Sequence, residues 1–116
     1  MEITKGLLVR KPWIDLLLSG EKTWEMRSKP TNQRGRIFLL GVGTGQILGE
    51  IELIGCLPPL LKKERRVYKA RHRVEDLDLL EKWPVPWVMQ NPIKYSRPKY
   101  YDHPQGAVTW VNISGE

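Results

Sequence analysis

The stretch Gly20–Arg27, Gly-Glu-Lys-Thr-Trp-Glu-Met-Arg, constrains the fold more than any other part of this 116-residue chain. The apolar segment 12–19 before it predicts a short helix, which Gly20 can end in a left-handed conformation. The residues that follow alternate, and Trp24 and Met26 face the same way. The pattern therefore predicts a helix followed by a strand with one apolar face and one face that carries both signs of charge.

Lys22, Glu25 and Arg27 are the candidate catalytic or ligand-binding residues of this stretch. A lysine that becomes buried has a lowered pKa and can act as a base. The carboxylate of Glu25 could accept hydrogen bonds from the amino group of a nucleobase, while a cation meets a carbonyl or phosphate. The same three residues could equally form an ion-pair network that has no ligand.

The order of short motifs along the chain resembles that of the ASCH domain of the PUA-like superfamily. The motifs are Gly-x-Lys-x-x-Glu-x-Arg at 20–27, Arg-Gly-Arg-Ile-Phe-Leu-Leu at 34–40, Gly-Glu-Ile-Glu-Leu at 49–53 and Gly-Ala-Val-Thr-Trp-Val at 106–111. The resemblance extends from Gly6 to Ile113. It implies an α+β fold, a small and mostly antiparallel β-barrel with flanking helices, with a cleft beside the first motif.

The resemblance also implies RNA or other nucleic-acid binding, with ribonuclease activity in some members and hydrolysis of acetylated cytidine in others. In the ASCH-like amidohydrolases the implied site is a lysine, a threonine three positions later and a distant glutamate. Lys22 matches the lysine, but Glu25 stands where the threonine is expected, so the hydroxyl nucleophile is missing there. The distant glutamate stays open among Glu50, Glu52 and Glu75.

Positive charge is concentrated in one stretch of the chain. The formal net charge is +6, and residues 62–73 alone contain seven Lys or Arg and one Glu. Such localisation suits an acidic partner such as a nucleic-acid backbone. Segment 60–74 is predicted to be an amphipathic helix, with an apolar side that includes Leu61 and Val67. Its basic stripe consists of Lys62, Arg66, Lys69 and Arg73. The acidic segment 74–82 could pair with part of this stripe, or the stripe could be a solvated helix face.

Further strands are predicted at residues 5–9, 36–42, 46–57 and 107–113, with Trp110 in the core. Arg27, Arg34 and Arg36 bracket a polar loop at 28–34 and predict a smaller positive cluster beside the motif.

Segment 83–104 is rich in proline and aromatic residues and is predicted to be a loop pinned to the barrel. Its basic and aromatic side chains would also suit single-stranded nucleic acid, in which bases stack on rings and phosphates meet cations. The candidates are Lys94, Arg97, Lys99, Tyr100 and Tyr101.

Length and composition limit the number of domains and the disulfide or metal chemistry that the chain can support. A chain of this length is expected to form a single domain over residues 1–116. The single cysteine excludes an internal disulfide and a multi-cysteine zinc site. The two histidines, His72 and His103, are not spaced as metal ligands, so no metal or cofactor is expected. An acid–base pair for RNA cleavage would require them to meet. No signal peptide or bilayer-spanning run is recognisable, and we expect a cytoplasmic protein.

The leading hypothesis is thus a nucleic-acid-binding domain for RNA or single strands, with ribonuclease activity as an option. The first alternative is an amidohydrolase that acts on an acetylated cytidine-type nucleoside through Lys22. The second is a protein-interaction module without catalysis. Whether the chain is an enzyme, and its oligomeric state, stay open at this point.

Overall fold

The computed structural model describes residues 2–113, which are built around one mixed six-stranded sheet. The strands are β1 (Lys5–Val9), β2 (Trp24–Arg27), β3 (Gly35–Gly41), β4 (Gln46–Cys56), β5 (Val85–Tyr100) and β6 (Trp110–Asn112), in the sheet order β2-β5-β4-β3-β1-β6. The helices are α1 (Trp13–Ser19), α2 (Glu64–Val67), α3 (Lys69–His72) and a 3-10 helix, Leu77–Glu81. Within residues 2–113, no helix has the length and apolar character needed to cross a bilayer.

The pairing of the strands confirms a mostly antiparallel α+β fold. Among the described strands, only β1 and β3 run parallel, and the other four pairings are antiparallel. The sheet is a half-barrel rather than the full β-barrel that the family resemblance implies, because β2 and β6 form its two edges. The main apolar core lies between α1 and strands β1, β3, β4 and β5.

The predicted helix, left-handed turn and alternating strand are all present. Gly20 ends α1 with a φ of 85°, and its N–H donates to the carbonyl of Leu17. Trp24 and Met26 are buried in a second apolar cluster with Leu60, Val74 and Leu80. This cluster packs segment 60–80 onto β2.

Segment 60–74 does not form the single helix that its pattern predicts. It contains two one-turn helices, α2 and α3, which meet at Tyr68. Leu61 and Val67, expected on the packed side, are 57% and 72% exposed, whereas Arg65 and His72 are buried. Helices this short have little intrinsic stability, so tertiary contacts decide which side faces inward.

The interpretation of segment 83–104 as a loop is wrong for most of its length, because residues 85–100 form β5. Proline signals a loop since it cannot donate to the hydrogen-bond ladder of a sheet. Here the pairing of β5 with β4 shifts register at three points, and β5 pairs with β2 only from Val85 to Val88. Irregular pairing and a free edge both accommodate proline.

The remaining strands follow the prediction closely. β3 and β4 lie within one residue of their predicted bounds and are joined by the glycine-rich turn. The closing strand is shorter than predicted, and Trp110 is only partly buried. It stacks on Trp87 with ring centroids 5.8 Å apart, which links β6 to β5.

Gly49 in β4 is a position where no side chain fits. A Cβ atom there would lie 2.4 Å from the carbonyl oxygen of Ile93 and 2.5 Å from Leu18 Cδ2. Gly49→Ala should therefore lower the free energy of unfolding by about 1–3 kcal/mol, as overpacking of a core does. Gly55→Ala in the same strand meets nothing within 4 Å and should change it by less than about 0.5 kcal/mol. Urea denaturation of both variants tests this, and equal losses of stability would contradict it.

Candidate functional site

A cavity of about 260 Å³ lies beside the Gly20–Arg27 stretch. Lys22, Glu25 and Arg27 all line it, so the structure brings the three candidate residues together. An aromatic wall includes Trp13 and Trp83, whose rings meet edge to face with centroids 6.1 Å apart. The other lining residues are Leu8, Arg10, Met26, Val42, Gly43, Val74, His103, Ala107 and Val108.

Lys22 is a buried lysine, with only 1% of its surface exposed. Its main-chain N–H donates to the carbonyl of Leu16 at 3.0 Å, which holds it against the end of α1. Its Nζ donates to the carbonyl of His72 at 2.5 Å and lies 3.8 Å from Glu25 Oε1. Burial lowers the pKa of Lys22 from 10.5 to about 8, although the nearby Glu25 carboxylate raises it. Lys22 can therefore exchange a proton slightly above neutral pH.

The side chain of Arg27 bonds to Glu25 and connects β2 to β1. Its Nε and Nη2 lie 2.9 and 2.8 Å from Glu25 Oε2, and Nη2 also donates to the carbonyl of Leu8 at 2.7 Å. The guanidinium lies over the ring of Trp87, 5.5 Å from its centroid. These contacts leave Glu25 Oε1 on the side of Lys22.

His72 accepts a hydrogen bond from Lys22 through its carbonyl, and both nitrogens of its ring are hydrogen-bonded, so the ring is not available for catalysis. The ring is fully buried, Nδ1 accepts from the N–H of Val74 at 2.9 Å, and Nε2 lies 2.6 Å from the carbonyl of Arg65. Nε2 therefore carries the proton. Burial lowers the pKa of His72, which favours this neutral form. Of the two histidines, His103 lines the cavity and His72 does not, so they do not form the acid–base pair considered for RNA cleavage.

The amidohydrolase pattern is incomplete in this cavity. The hydroxyl of Thr23 is buried without a hydrogen-bond partner and does not line the cavity. Among the lining residues, all within the described part of the chain, Glu25 is the single carboxylate. Of the candidates for the distant glutamate, Glu50 and Glu52 line a different groove, and Glu75 pairs with Lys69.

That groove has a volume of about 1130 Å³ and, over residues 2–113, shares no lining residue with the cavity. Five of the predicted nucleic-acid-binding residues line it: Arg34, Arg36, Lys99, Tyr100 and Tyr101. Arg34 and Arg36 line this groove, whereas Arg27 lines the cavity.

Charge in the groove is balanced rather than positive. Arg36 Nε donates to Glu50 Oε1 at 2.8 Å, and the hydroxyl of Tyr95 donates to Glu50 Oε2 at 2.7 Å. These hydrogen bonds lower the pKa of Glu50, although burial opposes them. Four acidic and four basic side chains line the groove. Its exposed ring, Tyr100, is 79% accessible, so the groove suits stacking better than phosphate attraction.

The predicted basic stripe is divided by ion pairs. Lys69 lies 3.0 Å from Glu75, and Arg73 lies 3.7 Å from Glu21. Lys62 and Arg66 are exposed and have no ion pair within residues 2–113. Lys94 and Arg97 are exposed on β5 and line neither the cavity nor the groove.

Four cavity residues were not assigned to this site from the sequence: Arg10, Trp13, Trp83 and His103. They come from three distant segments, and only packing brings them to β2. His103 holds the segment beside the cavity, since its ring nitrogens lie 2.9 Å from the hydroxyl of Tyr101 and 3.0 Å from the carbonyl of Ala107.

Residues 7–99 match the family described as the ASCH domain. A crystal structure of ASCH from Zymomonas mobilis is similar, with a TM-score of 0.74 and 12% identity over 96% of this chain and 87% of that chain. Two mutant forms of that Zymomonas mobilis protein give TM-scores of 0.72 and 0.73 at 12% identity, over 96% of this chain and 88% and 90% of theirs. At this identity the likeness concerns the fold alone. No curated protein matches the sequence.

The lowered pKa of Lys22 has a measurable effect on stability. Between pH 8 and pH 10.5 the unfolded chain keeps a proton on Lys22 that the folded chain has lost, so stability rises with pH in this window. The free energy of unfolding of wild type minus that of Lys22→Met should rise by about 2 kcal/mol from about pH 7 to about pH 10. Urea denaturation across this range measures this difference in the free energy of unfolding. The contribution of tyrosine ionisation cancels because both proteins contain the same tyrosines.

Lys63→Met provides the matched control because Lys63 is exposed. Its difference from wild type should stay constant over the same range. A constant difference for Lys22→Met as well would show that the buried lysine is not destabilised in its charged form.

Proposed function

The chain belongs to the ASCH domain family, and on this premise we propose that it binds single-stranded RNA with one base held in the Lys22 cavity. The family is generally thought to bind RNA. The observation that carries the proposal is the pairing, in one small cavity, of an aromatic wall with the Lys22–Glu25–Arg27 group.

The size and the lining of the cavity both support a single base as the occupant. A volume of about 260 Å³ lies below the roughly 300–1,000 Å³ of sites for drug-sized ligands. Trp13 and Trp83 provide aromatic surface, on which a base can be worth about 1–3 kcal/mol when it stacks. Glu25 can accept from an exocyclic amino group and Lys22 can donate to a ring carbonyl. Such polar edges discriminate between bases by their hydrogen-bonding pattern.

The groove gives the neighbouring nucleotides a place to bind. The segment from Tyr101 to Val108 separates it from the cavity: Tyr101 and Asp102 line the groove, whereas His103 and Val108 line the cavity. A strand that leaves the cavity crosses this segment and meets Tyr100, Tyr101 and Lys99. We infer stacking there, with Arg34 and Arg36 as polar contacts.

Phosphate contacts are assigned to the surface cations of segment 60–74 and β5: Lys62, Arg66, Lys69, Arg73, Lys94 and Arg97. Lys62 and Arg66 should contribute most, because Lys69 and Arg73 already have acidic partners. This segment adjoins the cavity, since Val74 lines the cavity and Arg73 precedes it.

Binding of labelled single-stranded RNA should separate the two kinds of contact. Lys62→Ala/Arg66→Ala should weaken binding for every sequence and reduce the log–log salt slope by roughly 0.7 for each phosphate that the variant can no longer neutralise. Glu25→Gln should leave the slope unchanged and alter the preference among four homopolymers, because it changes hydrogen bonding inside the cavity. Fluorescence anisotropy at two salt concentrations measures both effects.

Circular dichroism and thermal unfolding must first show that Glu25→Gln folds, because Glu25 is buried and bonded to Arg27. The assignment of the base to the cavity fails if Glu25→Gln flattens the salt slope or leaves every preference unchanged. The absence of detectable RNA binding by wild type at low salt would reject the proposed function itself.

A second candidate, hydrolysis of acetylated cytidine, is favoured by the Lys22 pKa of about 8. Neutral Lys22 could take a proton from water, which attacks the acetyl carbonyl. The amide C–N bond then breaks, the protonated lysine returns its proton to the leaving nitrogen, and acetate and cytidine are released. The missing threonine means that water, rather than a side-chain hydroxyl, would be the nucleophile. The same base could act on a ribose 2′-hydroxyl, which would give ribonuclease activity.

Turnover of acetylated cytidine should rise with pH through about 8, because only the neutral lysine accepts a proton. Lys22→Met should abolish it, and the exposed Lys63→Met should not. Product release followed by chromatography tests both candidates when RNA is included as an alternative substrate. If no product forms and no RNA binds, a protein-interaction module becomes the best description.

A further inference from the structure

Arg10 lies at the mouth of the cavity, and none of the sequence motifs includes it. It directly follows β1, and its carbonyl accepts the N–H of Ile14 at the start of α1. Its side chain is exposed and lines the cavity. Within residues 2–113, its guanidinium has no hydrogen-bond or ion-pair partner.

The other charges of the cavity are already committed to one another. Lys22 donates to the carbonyl of His72 and lies beside Glu25. Arg27 is bonded to Glu25 and to the carbonyl of Leu8. A fully anionic ligand placed deep in the cavity would therefore approach the Glu25 carboxylate, which repels it. The inner part suits a neutral polar group, and the positive charge that is free for a ligand lies at the mouth.

We propose that Arg10 binds a phosphate carried by the base in the cavity, so that the unit recognised is a nucleotide rather than a nucleoside. This inference rests on the proposed base-binding function and assigns the orientation of the ligand. The base lies inside the cavity and the phosphate lies at its mouth. Arginine suits the second role because its planar fork can donate two parallel hydrogen bonds to phosphate oxygens. The aromatic wall and Glu25 then select the base, while Arg10 selects the anion.

The test compares the four ribonucleosides with their 5′-monophosphates and 3′-monophosphates, titrated into the full chain by isothermal calorimetry or NMR. At least one monophosphate series should bind about ten-fold more tightly than its nucleoside, as a charge-assisted hydrogen bond provides. Arg10→Ala should remove this difference, because the monophosphates lose more affinity than the nucleosides do. Arg10→Lys should restore it only in part, because an ammonium cannot form the two parallel bonds.

Arg71→Ala is the matched control. Arg71 is exposed and lines neither the cavity nor the groove, and its removal changes net charge by the same amount. This variant should keep the full preference for monophosphates, whereas an equal decrease in both variants would assign the preference to net charge. Inorganic phosphate alone should compete only weakly, because it lacks the base. Strong competition would indicate a general anion site and would overturn the inference.

The remaining outcomes separate this inference from the function on which it rests. If nucleosides bind and phosphate adds nothing in wild type, Arg10 has no role and the base cavity stands. If none of the nucleosides or monophosphates binds while RNA does, the cavity assignment and this inference both fall. If Arg10→Ala weakens nucleosides and monophosphates equally, Arg10 shapes the cavity and does not bind phosphate.

Discussion

The hydrogen bonds of the Arg27 side chain connect two strands of the open sheet and orient Glu25 in the site. The side chain begins on the edge strand β2, bonds to Glu25 and reaches the carbonyl of Leu8 at the end of β1. β6 pairs with β1 as far as Leu7 and Trp110, and the N–H of Leu8 donates to the carbonyl of Thr109 at 2.9 Å. The carbonyl of Leu8 accepts from the Arg27 guanidinium. The cation also covers Trp87, which stacks on Trp110. One side chain therefore joins the two sides of the half-barrel and orients the carboxylate beside Lys22.

The buried lysine is costly for the fold and useful for the site. Removing an ammonium from water costs several kcal/mol unless close partners compensate it. Here the compensation is partial: one carbonyl accepts a hydrogen bond from Nζ, and the nearest oxygen of Glu25, whose other oxygen is bonded to Arg27, is 3.8 Å away. A lysine held in this way has a pKa near 8 and a fixed position beside the carboxylate in the cavity. On the proposed function, the fixed position places Nζ beside the base, and the lowered pKa would allow proton transfer.

The distribution of charge in three dimensions differs from its distribution along the chain. Residues 62–73 carry an excess equal to the whole net charge of +6, yet Arg65, Lys69 and Arg73 have acidic partners from other segments. The aromatic groove is balanced in charge, and the mouth of the cavity has an arginine with no partner in the described part of the chain. On the proposed function, the surface cations attract phosphates, the groove stacks neighbouring bases and the cavity selects one nucleotide, so these surfaces depend differently on salt and sequence.

Local patterns in the sequence determined the elements whose stability is local or strictly periodic. Alternation predicted β2, other local patterns predicted β3 and β4, and Gly20 predicted the end of α1. The charged residues of the Gly20–Arg27 stretch predicted the Lys22–Glu25–Arg27 group, and the motif order predicted the family. Tertiary structure alone decided three other features. It extended a proline-rich stretch into β5, it broke segment 60–74 into two turns that bury Arg65 and His72, and it brought Arg10, Trp13 and Trp83 to the cavity. These outcomes depend on contacts between residues far apart in the chain, where burial and strand pairing outweigh the local preferences that a sequence pattern records.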